Sequence, residues 1–449
     1  MNHSLSKVFS FILLLTMFIS AGAQAQTDTS DNKIVLEGTL KSYVAYAMDN
    51  SPALEAQFER WQGDVYSIAQ ARRLPDPVIS YSYYIKSVET RVGPQKHKVS
   101  LKQTFPWPSK LSAGADAAAL KANAAKKKFN ALAISIKAAV EKFYWSLWVQ
   151  KEIRKVHEEH VLILDGLSES AGALLMTGKI NLADQQQINL TAARVADLLN
   201  VTDEQMHRLE SGLKGVMGAP RDTQIKILSS PLVDRDIIDK TKLLESVKNH
   251  PYINSYEDLA LASEFEAKKE QTSRYPDFTL GVDWIITGDT SNLAVADSGQ
   301  DAVIVGLGIA VPLWQGNYKK NVQAKESLMR AFRAEGDAAR DSSVASFYTI
   351  LSNMRDAKRR IELYKNTLVP QAKTVFESVL GSYTTGRSDV ASVLLAQQDL
   401  LELRIELIEA RGQYAIQKAE LENVAGHEIT HMSKTEDAKN NSEGKEIKQ

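Results

Sequence analysis

Between Ile79 and Lys86 the chain alternates strictly. Ile79, Tyr81, Tyr83 and Ile85 fall on one face, and Ser80, Ser82, Tyr84 and Lys86 on the other. After Val92-Gly93-Pro94-Gln95 the alternation resumes, with Val99, Leu101 and Phe105 against Lys98, Ser100, Lys102 and Thr104. A period of two marks a strand with one apolar face. The two runs therefore predict a hairpin of strands of about ten residues each, the length a tilted membrane-spanning strand needs. The pattern returns later: Phe278, Leu280, Val282, Trp284 and Ile286 oppose Thr279, Gly281 and Asp283. Its partner run sets Val303, Val305, Leu307, Ile309 and Val311 against Ala302, Gly306, Gly308 and Ala310, beyond a longer polar loop from Thr287 to Asp301.

Each hairpin is followed by a long helical pattern. Lys110 to about Thr177 contains no proline and is rich in Ala, Lys, Leu and Glu. It predicts one helix of about 68 residues, on the order of 100 Å long. Tyr318 to Thr384 predicts a second, of about 67 residues. Helices of about 11–12 residues are the norm, so these need a partner along their whole stripe, as in a coiled coil or helical barrel. Both end at Thr-Gly, a glycine suited to the left-handed turn that stops a helix. Asn181, and Ser388 or Asp389, then cap returning helices over Ala183–Met217 and Val390–Val424. Each is about half the length of its neighbour. A shorter amphipathic helix over 53–73, entered through Asn50-Ser51-Pro52 and ended by Pro75 and Pro77, supplies most of the missing length if stacked end to end.

The plan is stated twice, about two hundred residues apart, which makes it a duplicated half and not a solenoid repeat. Asn50-Ser51-Pro52 returns as Asn249-His250-Pro251, Arg73-Leu74-Pro75-Asp76 as Arg274-Tyr275-Pro276-Asp277, and Thr177-Gly178-Lys179 as Thr385-Gly386-Arg387. Phe143-Tyr144-Trp145 returns as Phe347-Tyr348-Thr349. The expected boundaries are a signal peptide over 1–25, an N-terminal segment over 26–50 and a first repeat over 51–220. A linker over 221–248, a second repeat over 249–426 and a polar, disordered tail over 427–449 complete the chain.

Composition narrows the class. Lys7, the apolar run Phe9 to Ile19 and the small residues Ala21-Gly22-Ala23-Gln24-Ala25 read as a secretory signal, cleaved before Gln24 or Gln26. The 449 residues contain no cysteine, which excludes disulfides, thiolate metal sites and lipid attachment at a mature N-terminal Cys. Past the signal no stretch approaches the roughly 20 apolar residues of a spanning helix. A net charge of -1 speaks against nucleic acid. No phosphate loop or nucleophile–base pair stands out, so no enzymatic activity and no cofactor are expected. His427-Glu428-Ile429-Thr430-His431 matches a zinc-protease pattern. It follows Gly426 and runs into the polar tail, without a third ligand or a cleft, so it reads as adventitious. His157 and His160, beside Glu158 and Glu159, read as a solvated helix face.

Four spanning strands leave two unpaired edges, which hydrocarbon does not tolerate. Outer-membrane barrels have at least eight strands; two chains would supply eight and three twelve, and twelve leave water inside. Trp107 and Trp314, just past strand ends, suit an aromatic belt at the headgroups. This plan resembles the TolC-like outer membrane efflux proteins over about residues 36 to 426. The resemblance rests on Asn50-Ser51-Pro52, Arg73-Leu74-Pro75-Asp76-Pro77, Gln103-Thr104-Phe105-Pro106-Trp107-Pro108, the paired Thr-Gly tips and Val311-Pro312-Leu313. It implies a mainly α fold with a four-stranded transmembrane β segment and duplicated halves. It further implies a homotrimer with a 12-stranded barrel in outer membrane lipid, and a long α-helical barrel in the periplasm.

The resemblance also implies a passive conduit, docked to a periplasmic adaptor and an inner-membrane pump, with a resistance-nodulation-division pump expected. Gly178, Lys179, Gly386 and Arg387 would meet the adaptor. The Arg73–Pro77 and Phe105–Pro108 segments look most like the heavy-metal cation branch. The family's best-known members carry a constricting aspartate ring where this chain has Ser392 and Leu395. Asp184 and Asp389, beside Ser392, are the gate candidates. Multidrug efflux or type I secretion through the same channel, and a periplasmic coiled-coil scaffold, are the alternatives.

Overall fold

The computed structural model describes residues 36–233, 239–290 and 296–427. The signal segment, the stretch from Thr27 to Lys33, the tail and the HExxH-like run beyond His427 lie outside them. The first half runs α1 (Leu40–Asn50), α2 (Pro52–Arg72), β1 (Val78–Thr90), β2 (Gly93–Phe105), α3 (Pro108–Met176) and α4 (Leu182–Met217). The second repeats it as α5 (Lys240–Lys248), α6 (Pro251–Thr272), β3 (Asp277–Thr287), β4 (Ala302–Ala310), α7 (Gln315–Leu363), α8 (Val369–Thr384) and α9 (Val390–Ala425). The fold is mainly helical with one antiparallel four-stranded sheet in the order β1-β2-β3-β4, as the alternating runs require.

Helix α3 is continuous over 69 residues. Its counterpart departs from the expected single helix: between α7 and α8 the chain widens into a π turn over Tyr364–Leu368. The cause is Pro370, which has no N–H to give to the Asn366 carbonyl and whose ring crowds that carbonyl. The ladder shifts instead, and the Val369 N–H bonds to the Tyr364 carbonyl, five residues back.

The end-to-end stacking of short on returning helix holds in both halves. Gly218 ends α4 at φ 71°, so close to the next helix start that an added Cβ would sit 2.3 Å from the Asn50 carbonyl oxygen and 2.8 Å from Pro52 Cδ. Gly426 ends α9 at φ 80° against His250 Cδ2 and Pro251 Cδ, at 2.9 and 3.3 Å. Each junction thus joins a left-handed glycine to a proline at the first turn of the next helix. Two short helices were not expected from the sequence: α1, capped by Thr39, and α5, capped by Asp239. At 11 and 9 residues they present too few turns for a periodic signal.

The core is a series of patches along the helices. Tyr43, Tyr144, Trp145, Trp148, Leu213 and Met217 form one. There the Tyr144 hydroxyl donates to the Gly38 carbonyl (2.9 Å) and accepts from the Ser229 N–H (2.8 Å), tying the strap after α4 to α3. Phe347, Met354, Tyr414 and Leu421 form its counterpart in the second half.

Candidate functional site

The sheet is inverted relative to a soluble protein. Alternate residues in register put Ile79, Leu101, Val282 and Val305 on one face, and Ser80, Ser100, Asp283 and Ile304 on the other. The apolar face is the open one: Ile79 is 72% exposed, Val305 71% and Leu307 72%, whereas Ser100 on the polar face is 5% exposed. Burial of that apolar surface must come from something outside the chain. On the sheltered face Lys98 and Asp283 form an ion pair at 2.8 Å, and the Thr104 and Thr279 hydroxyls lie 3.1 Å apart. The outer edges of β1 and β4 have no partner strand among the described residues. Trp107 packs on Tyr275 and Phe278, with centroids 5.2 and 6.2 Å apart, at the start of α3. Trp314 precedes α7 and is 75% exposed. Its indole needs an amphipathic surrounding.

At the far end, the two Thr-Gly tips share one geometry. Gly178 (φ 70°) donates its N–H to the Leu175 carbonyl and Lys179 to that of Leu174, both at 3.0 Å. Gly386 (φ 75°) donates to Tyr383 and Arg387 to Ser382, both at 2.9 Å. These paired bonds satisfy the last carbonyls of α3 and α8. Nothing lies within 4 Å of a Cβ added at either glycine, so Gly178, Lys179, Gly386 and Arg387 stand at free apices.

Past each apex a side chain caps the returning helix. Asn181 and Asp184 form a reciprocal capping box, with bonds of 2.9 and 3.2 Å. Asp389 accepts from the Ser392 N–H at 2.7 Å, and bonds from Ser392 hold its carboxyl below the usual carboxylate range. The two tips meet in one apolar cluster, with Leu167 and Ala171 from α3, Ile188 from α4, Phe376 and Tyr383 from α8, and Val390 and Val393 from α9. Within it the buried Tyr383 hydroxyl lacks a hydrogen-bond partner among the described residues. Burial first, and the nearby Asp184 carboxylate second, raise its pKa. The structure thus brings Asp184 of the first half against the second-half tip, while Leu395 faces outward at 62% exposure.

One expectation is overturned. His157 and His160 are not on a solvated face: they are 5% and 6% exposed, and no described group hydrogen-bonds either Nδ1. α9 covers them, because the long helix packs against returning helices from both halves, a contact that one helix's own pattern does not reveal. Burial, with His157 alongside, depresses the His160 pKa to about 4, only partly offset by the Gln397 amide beside it. Arg404 and Glu159, 2.7 Å apart, border this cluster. Sequence reasoning missed it; the spacing of His157 and His160, three apart on one helical face with Val156 and Leu164, was the available signal.

Comparison with known proteins gives this arrangement its place. Residues 248–427 match the family model described as outer membrane efflux protein. The chain is 20% identical to the cobalt-zinc-cadmium resistance protein CzcC of Cupriavidus metallidurans, over 91% of this chain and 96% of that one. The outer membrane protein VceC of Vibrio cholerae superposes with a TM-score of 0.72 at 19% identity, covering 87% of this chain and 97% of that chain. CusC, described in its crystal structures as forming a transmembrane channel, gives 0.71 at 13% identity, covering 86% and 92%. Residues 248–427 thus resemble the outer membrane efflux proteins, and the chain as a whole shares the fold of VceC and CusC. Its fold is one that outer membrane channels have. The family's description places it in the outer membrane.

Proposed function

We propose that the chain forms a homotrimeric channel that conducts substrate passively from a periplasmic adaptor and an inner-membrane pump of the resistance-nodulation-division type to the exterior. One observation carries the reading: a four-stranded sheet with two open edges and its apolar face outward. Three such sheets, edge to edge, close a 12-stranded barrel around the polar faces and leave no unpaired backbone in lipid. Trp107 and Trp314 then stand at the periplasmic headgroup level. The free apices at Gly178, Lys179, Gly386 and Arg387 receive the adaptor, and Asp184, Asp389 and Ser392, one turn inside, line the gate. The two repeats, 51–220 and 249–426, each supply one hairpin and one tip.

The cargo we infer is heavy-metal cations, supported by the likeness to CzcC along nearly the whole chain. Growth of a deletion strain across divalent metals, dyes and antibiotics tests it. Hypersensitivity confined to zinc, cobalt, cadmium, copper or nickel supports it; drug sensitivity with normal metal tolerance overturns the cargo and keeps the channel. The neutral Ser392 and Leu395 favour that second reading, multidrug or type I secretion, because they offer a cation no carboxylate. Recovery of a soluble monomer would overturn the channel itself.

A further inference from the structure

We propose that Lys102 forms a ring of unpaired positive charge inside the barrel and makes the transmembrane section prefer anions. The inference rests on the trimeric barrel reading above. In register, the sheltered face of the sheet carries Lys98, Lys102, Asp283 and, at the strand end, Asp277. Lys98 is neutralised by Asp283 at 2.8 Å. Lys102 makes no ion pair among the described residues. Asp277 is matched by Lys110 of α3 at 3.3 Å, so with both carboxylates paired Lys102 leaves one surplus positive charge per chain, and about three per closed trimer. Tyr84 and Lys86 fall where β1 loses register between Tyr83 and Val88, so the count does not use them.

The surroundings keep that ammonium free. Lys102 lies opposite Gly281, which lies opposite Gly306. A Cβ at Gly281 would stand 3.3 Å from Lys102 Cγ, so the lysine stem lies across the glycine; a Cβ at Gly306 would meet nothing within 4 Å. On the other side Val78 lies opposite Lys102, so the row holds one cation beside an apolar side chain and two glycines. Asp283 sits one row away, where it feels the Lys102 charge, but its Oδ2 is bonded to Lys98. A fixed charge on a wall backed by lipid acts through a low-dielectric boundary that focuses its field into the water-filled lumen. Chloride is enriched there and potassium depleted. A free divalent metal cation gains no attraction from this section, so its outward passage depends on the concentration delivered at the tips.

The test is single-channel recording of the purified full chain in planar bilayers of neutral lipid, under a KCl gradient near 0.1 M, where the Debye length is about 10 Å. Wild type should show a chloride-to-potassium permeability ratio above one. Lys102→Ser, which adds no charge beside Asp283, should bring the ratio toward one, and Lys102→Glu should take it below one. A ratio unchanged in both variants while currents persist overturns the proposal and leaves the channel reading standing. Inserted wild-type protein that passes no current overturns both.

Discussion

The Arg404 guanidinium meets the Glu159 carboxylate at 2.7 Å, joining the returning helix of the second half to the long helix of the first. Arg154 holds Asp203 on α4 at 2.7 Å a turn away, so α3 is tied laterally to both returning helices. The Arg404 pair is about half exposed, at 35% and 55%. Its coupling should therefore lie within about 0.2–1 kcal/mol. A double-mutant cycle on Arg404→Ala and Glu159→Ala, read by chemical unfolding in detergent, checks this. A coupling of several kcal/mol would mean that the assembled protein buries the pair.

The helix-junction glycines should be far less replaceable than the tip glycines. All four hold φ near 70–80°, which costs a non-glycine residue roughly 1–2 kcal/mol. At Gly218 the added Cβ also strikes the Asn50 carbonyl, whereas at Gly178 and Gly386 it enters open space. Gly218→Ala should thus cost about 3 kcal/mol or more, and Gly178→Ala about 1. Unfolding midpoints compared side by side decide the point.

Much of this was legible in the chain. Strict alternation gave the four strands and their outward apolar face, because a period of two does not fit a helix. The Thr-Gly pairs gave both tips, and Asn181 and Asp389 gave the caps they form. The π turn at Tyr364–Leu368 was signalled by Pro370 and is a local conflict inside an otherwise continuous pattern. The burial of His157 and His160 was not legible, since it depends on a helix more than two hundred residues later folding back over them. The influence of the Asp184 charge on Tyr383 is of the same kind: it arises where two halves meet, and each half alone is silent about it.

The buried histidines make stability pH-dependent. The folded pKa of His160 lies at about 4, below the 6.5 of the free side chain, and that of His157 is lowered as well. Between those limits the unfolded chain binds more protons. Stability is therefore full above about pH 6.5, falls as pH drops, and levels off near pH 4. Glu159 and Arg404, paired at 2.7 Å, border the cluster, and Gln397 is neutral. The melting temperature should decline from pH 7.5 to 4.5, and His160→Leu should flatten that decline. Parallel curves for wild type and variant would assign the slope to other groups.

The two sheet faces should answer a new lysine in opposite ways. At mid-strand on the apolar face, Val282→Lys puts an ammonium in hydrocarbon, at a cost of about 2–4 kcal/mol. On the polar face, Ser80→Lys places it on the lumen side of the proposed barrel, away from hydrocarbon. Refolding yields into lipid vesicles, compared for Val282→Lys and Ser80→Lys, read the difference. Equal losses would mean that the polar face is also covered.

The tip charges give the sharpest test of partner docking. Lys179 and Arg387 are both exposed and occupy the same position, the residue after the left-handed glycine, in the two halves. Their N–H groups are used inward, on Leu174 and Ser382, and the Lys179 ammonium makes no ion pair among the described residues. Arg387 spends only its Nε, on the Thr385 hydroxyl at 3.1 Å. Such cations suit an adaptor surface carrying carboxylates, and like charge set against them repels. Lys179→Glu with Arg387→Glu should weaken adaptor cross-linking several-fold while the trimer stays intact on native gels, because neither side chain contributes to the apolar cluster behind the tips. Cross-linking at the wild-type level would place the adaptor contact elsewhere on the helices.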